Sequence, residues 1–91
     1  MLLTDTVIQK MQLLLAPLHP EYLDITDDSA QHIGHAGAAN GGGHYRLHLI
    51  STEFSGKSSL TRHRLIFSAL DSMMHKQIHA LSIRASTPEE L

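Results

Sequence analysis

Apolar and polar residues follow two different periods along this 91-residue chain, and the points where the period changes mark its elements. Val7, Ile8, Met11, Leu14 and Leu15 recur at three and four positions, which predicts an amphipathic helix capped by Thr4. Pro17 and Pro20 end it. Leu23 and Ile25 then alternate with Tyr22 and Asp24, the two-residue period of a strand over 22–26. From Asp27 to Gly43 no period holds, and Gly34, Gly37 and Gly41-Gly42-Gly43 loosen the backbone. An unpatterned stretch of this length in a small domain is usually functional or disordered.

Alternation returns at His44 to Ile50, with Tyr45, Leu47 and Leu49 on one face and His44, Arg46 and His48 on the other, as in a half-buried strand. A turn through Gly56 leads to a second helix from about Ser59, its cap, to His75. Leu60, His63, Phe67, Leu70 and Met74 form its apolar stripe, widened by Ile66, Ala69 and Met73. Ile78 to Ala85 reads as a third strand in which His79, Leu81 and Ile83 share a face. Thr87-Pro88-Glu89-Glu90 is a capping box with proline at the first helical position, so a short last helix is expected. The order α-β-β-α-β-α predicts one α+β domain over residues 1–91. A crossover helix lays the third strand parallel to the second. A three-stranded mixed sheet with the helices packed on one face closes the core.

Composition narrows the chemistry. Hydrophobic content of 42% and charged content of 18% are ordinary for a globular chain. No apolar run approaches the roughly 18 residues of a membrane span. The N-terminus lacks the basic start and apolar core of a signal peptide, so a cytoplasmic protein that engages no membrane is expected. The chain has no cysteine, which excludes disulfides, thiolate catalysis and any metal site built on its own thiolates. A net charge of -2 argues against general nucleic-acid binding, although a local patch can act against a global balance. Aromatic residues make up 4% of the chain, too few for a stacking platform for single strands. Histidine is the outlier, with eight copies spread along the sequence. Imidazole titrates near neutrality and is a common metal ligand.

Two groups of residues can carry function. The first is the turn Gly56-Lys57-Ser58-Ser59 and the triplet Arg62-His63-Arg64; no acidic residue falls between Phe54 and Leu70. The turn is not a phosphate-binding P-loop, since position 51, where that motif needs glycine, is Ser. What remains is a helix N-terminus beside Lys57, Arg62 and Arg64, suited to a phosphate, a carboxylate or an acidic partner. Arg62 and Arg64 cannot share a helix face, and His63 aligns with Leu60 and Phe67. The second group is His32 and His35 in the glycine loop and His79 at the mouth of the third strand. A loop folded over that strand end brings imidazoles together. Two such ligands leave a tetrahedral metal incomplete, so a partner must supply the rest. The alternative for each is a packed histidine bonded to backbone; His44, His48 and His75 are read as surface or packing residues. No GxSxG turn or cysteine nucleophile is present, and so small a domain has little room for a deep pocket. A binding protein rather than an enzyme is expected.

The run FxGKxxxxRHR over 54–64, followed by His79-Ala80-Leu81 and Ile83, resembles the BolA family. Pro20-Glu21-Tyr22-Leu23, Asp28-Ser29, His32 and His44-Tyr45-Arg46 fall where that family has similar residues. The resemblance implies an α+β architecture similar to a class II KH domain, though this chain lacks the GxxG loop between paired helices that serves a true one as a backbone clamp. It further implies a monothiol, CGFS-type glutaredoxin as partner and a [2Fe-2S] cluster shared with it, glutathione coming from the partner. By resemblance His79 is the family's HAL histidine and His32 its loop histidine, with His35 as the rival. Alone, the chain is expected to be a monomer or weak dimer. Because the family includes transcriptional regulators, DNA binding through the basic turn and second helix is the second reading.

Overall fold

The computed structural model describes residues 6–29 and 43–91. The expected cap Thr4 and the loop histidines His32 and His35 lie outside them. Helix α1 (Thr6–Leu15) turns Met11 and Leu15 fully inward, while Leu13 on its far side is exposed. Pro17 closes it in a single 3-10 turn, Ala16–Leu18, after which His19 takes a left-handed backbone conformation and redirects the chain.

Strand β1 (Tyr22–Asp27) pairs antiparallel with β2 (Gly43–Ile50), Leu23 opposite Leu49 and Ile25 opposite Leu47. Strand β3 (Ile78–Ser86) pairs parallel with β2, so the sheet order is β1-β2-β3 with β2 central. The parallel pair is the one separated by a helix, as a crossover demands. Tyr45, Leu47 and Leu49 of β2 are buried as their alternation required, and they meet Met11, Leu15, Ile66 and Leu70 from the two helices. His44, Arg46 and His48 point to the other face. Phe54, buried in a 3-10 turn after β2, seals the core end. No helix among the described residues is long and apolar enough to cross a membrane.

The second helix differs from its expected form. Helix α2 spans Ser59–Ala69, and Ser58 rather than Ser59 caps it, its hydroxyl accepting from the Thr61 amide. The chain then tightens into a 3-10 turn at Asp71–Met73 that buries Met73, and His75 adopts positive φ. Met73 and Ile78 on either side of it both reach the core. The buried stripe is centred on Ile66 and includes Arg62, leaving Leu60 59% and Phe67 38% exposed. The final helix is a single 3-10 turn, Pro88–Glu90, with Glu90 reaching back to the Thr87 amide at 2.9 Å as the capping box predicts.

Candidate functional site

His79 occupies an irregularity in the sheet. Gly43 pairs with Ile78 and His44 with Ala80, so one residue of β3 bulges between two of β2, and that residue is His79. Its side chain is exposed, and its ring lies 5.2 Å from the His44 ring, centroid to centroid, at a 52° tilt. His44 was assigned only a packing or surface role from sequence. Its place beside His79 comes from the register shift, which strict two-residue alternation cannot show.

Both ends of the segment that carries His32 and His35 are fastened at this corner. Asp28 donates its amide to the His44 carbonyl at 2.7 Å, and the His44 amide donates to the Ser29 hydroxyl at 3.0 Å. Ser29 is itself turned by its amide bond to the Asp27 carboxylate at 2.8 Å. Arg46 clamps Asp28 through Nε at 2.7 Å and Nη2 at 3.3 Å. At the far end the Gly43 amide donates to Gln77 O at 2.8 Å. A Cβ on Gly43 would fall 2.5 Å from the Tyr45 ring, so only glycine lets the backbone pass under that ring into the bulge. Burial, helped by the nearby Asp27 carboxylate, raises the Tyr45 hydroxyl above its ordinary pKa. Among the described residues no group of three or more His, Cys, Asp or Glu side chains gathers to hold a metal. His79 and His44 are a two-imidazole corner.

The cationic turn separates into unlike parts. Gly56, with φ of 75°, turns the chain, and the exposed Lys57 ammonium donates to the Glu53 carbonyl at 2.7 Å. Arg64 is exposed and His63 half-buried. Arg62, grouped from sequence with Lys57 and Arg64 as a cation for a partner or nucleic acid, turns inward instead: its side chain is only 10% exposed. Nε donates to Lys57 O at 2.9 Å, and Nη1 donates to Ala85 O at 3.1 Å. Nη1 and Nη2 grip Glu90 Oε1 and Oε2 at 2.7 and 2.8 Å. The guanidinium also lies 5.9 Å from the Phe54 ring centroid. The donors of Arg62 face inward, so it ties the turn, the end of β3 and the C-terminal turn together. The hydrogen bonds from Arg62, then that from Thr87, hold the Glu90 carboxyl down at a pKa of about 2. What α2 presents outward is Leu60, Arg64 and Phe67, spaced along one face at four and three. Sequence periodicity had assigned Leu60 and Phe67 to the core.

Two helices packed on a three-stranded mixed sheet make this a small α+β domain. The family model for BolA-like protein matches residues 14–90, and the chain belongs to that family. It is similar to the BolA domain of SufE1 from Arabidopsis thaliana, at 37% identity with a TM-score of 0.81, covering 94% of this chain and 96% of that one. It is 42% identical over 79 residues to SufE-like protein 1, chloroplastic/mitochondrial, of the same plant, covering 81% of this chain but 21% of that protein. It is 30% identical over 90 residues to the DNA-binding transcriptional regulator BolA of Escherichia coli (strain K12), covering 99% of this chain and 80% of that one. The chain thus spans about a fifth of the length of the plant relative.

Proposed function

We propose that this BolA-like chain is a binding protein that pairs with a monothiol, CGFS-type glutaredoxin and shares a [2Fe-2S] cluster with it, in iron–sulfur trafficking or iron-dependent regulation. The supporting observation is the corner itself. His79 is exposed on a bulge, and both ends of the histidine-bearing segment are fastened beside it through Ser29 and Gly43. Ser29 precedes His32 by three residues, a reach of at most about 11 Å. His79 is the fixed ligand in this reading, with His32 or His35 as the second. Having no cysteine, the chain offers no thiolate of its own, and thiolates come from the partner and its glutathione. The exposed Leu60, Arg64 and Phe67 face, with Lys57, supplies a mixed apolar and cationic surface for docking. Arg62 shapes that surface from beneath.

Coexpression with a monothiol glutaredoxin tests the proposal. The copurified pair should show the visible absorbance of a histidine-ligated cluster, and His79→Ala should abolish it. Unchanged absorbance in that variant would end the assignment of His79.

A second reading is favoured by the name of the Escherichia coli relative and by the exposed cations Lys57 and Arg64. Here the basic turn and α2 contact duplex DNA. A salt titration discriminates, because phosphate contacts give an affinity that falls steeply with salt. Specific binding at physiological salt that disappears in Lys57→Ala/Arg64→Ala would establish the DNA reading.

A further inference from the structure

The face of the sheet turned away from the helices carries a shallow cleft of about 410 Å³, lined by Asp24, Thr26, Arg46, His48, Ser82 and Arg84 among others. Neither the histidine corner nor the cationic turn uses it. The strand register orders its charged groups. Asp24 of β1 pairs with His48 of β2, and His48 with Arg84 of β3, so carboxylate, imidazole and guanidinium lie in one row across the sheet. Thr26, Arg46 and Ser82 form the next row by the same pairing. Strands sit roughly 4.8 Å apart, which places the Asp24 and Arg84 backbones about 10 Å from each other.

The two rows are electrostatically different. Arg46 is already neutralised by Asp28 at 2.7 Å. Asp24 and Arg84 take part in none of the ion pairs formed among the described residues. Between them the His48 ring is steadied by the Tyr22 ring, edge-on at 5.5 Å between centroids, with the Ser86 hydroxyl 3.5 Å from its Nε2. The cleft therefore presents one open negative end and one open positive end, near-zero net charge, and hydroxyls along its side. A polyanion meets Asp24 unfavourably on such a surface. A molecule with an ammonium at one end and a carboxylate at the other is complementary at both.

We infer that this cleft is a binding site for a short zwitterionic peptide, its carboxylate on Arg84 and its ammonium on Asp24. Length agrees with charge: an extended chain advances about 3.3–3.6 Å per residue, so a tripeptide spans about 10 Å. A guanidinium engages a carboxylate through two parallel hydrogen bonds, which fixes direction as well as position. Thr26 and Ser82 offer hydroxyls to the peptide amides. All these side chains stand on strands, and rigid elements hold such a constellation better than loops do. The site is independent of the cluster reading, since it needs neither His79 nor a second protein.

The test titrates the isotope-labelled full chain with three probes and follows its amide resonances. The probes are triglycine with free ends, triglycine acetylated and amidated at its ends, and uridine monophosphate. Free triglycine should give saturable shifts centred on residues 24, 48 and 84, and the blocked peptide none. Arg84→Gln and Asp24→Asn should each weaken triglycine binding roughly tenfold, the loss of one charge-assisted contact. Both side chains are exposed, and a well-dispersed spectrum of each variant checks that the fold is kept. The inference is overturned by an absence of saturable shifts, by equal affinity for the blocked peptide, or by variants that bind as the parent does. Shifts with uridine monophosphate and none with triglycine would overturn it too, and would mark the cleft as a nucleotide site.

Discussion

The two ends of β3 use polar groups in opposite ways. At its C-terminal end, polar groups are consumed by the fold: Arg62 holds Ala85 O and Glu90, the Ser51 amide binds Ser86 O at 3.0 Å, and the Ser51 hydroxyl binds Leu18 O at 2.6 Å. At its N-terminal end, a bulge turns His79 outward beside His44, next to the roots of the histidine-bearing segment. Buried polar groups at the first end are satisfied inside the molecule, as burial requires. At the second end the His79 side chain stays exposed. A charged residue type in a motif therefore says little about role until the direction of its side chain is known. Arg62 and Arg64, two positions apart in one triplet, show this most directly.

The largest contrast should come from those two arginines. Arg62→Ala removes the inward member of its pair with half-exposed Glu90 and strips hydrogen bonds from Lys57 O and Ala85 O, so thermal denaturation should shift down by more than about 5 °C. Arg64→Ala, on exposed helix surface, should stay within about 3 °C of the parent. Equal shifts would remove the distinction between an internal tie and an outward cation. At the open end, Gly43→Ala drives a Cβ into the Tyr45 ring and should cost about 1–3 kcal/mol by denaturant unfolding. His79→Ala at the same corner should leave stability nearly unchanged, because its ring is exposed.

Acid sharpens the comparison further. The Glu90 pKa is lowered from an ordinary 4.5 to about 2, so its contribution to stability is present above the ordinary value and lost as pH falls through the lowered one. The melting temperature of the parent should therefore drop across pH 4.5 to 2. Glu90→Gln should start lower at neutral pH and lose less over that window. Parallel curves for parent and variant would show that the pair does not supply this acid dependence. The smallest effect belongs to the outward face of α2: Leu60→Ser/Phe67→Ser should change stability little while weakening capture of a glutaredoxin partner.

Much of the architecture was legible before any coordinates. The three strands and the inward set Tyr45, Leu47 and Leu49 followed from alternation, because each strand face has one environment and the period of two samples it cleanly; their mixed pairing followed from the crossover helix. Pro17 and the Thr87–Glu90 box acted locally, and local signals survive folding. Helix α2 was read less well. Its buried stripe includes Arg62, a residue that its charge assigns to solvent, since only distant Glu90 and the carbonyls of Lys57 and Ala85 make its burial tolerable. That choice left Leu60 and Phe67 outside. The same blindness hid His44: a register shift changes who stands beside whom without changing any residue.

Hydrophobic period, turn residues and the family motif were thus enough to determine this protein's strands, its BolA-like membership and His79 as a residue of interest. Tertiary structure alone decided which arginine of the triplet reaches solvent, that His44 neighbours His79, and that Asp24, His48 and Arg84 fall in one row. Periodicity reports on contacts a few residues away. Ion pairs, bulges and cross-strand rows join residues tens of positions apart, and their energies depend on distances that exist only after the chain has closed on itself.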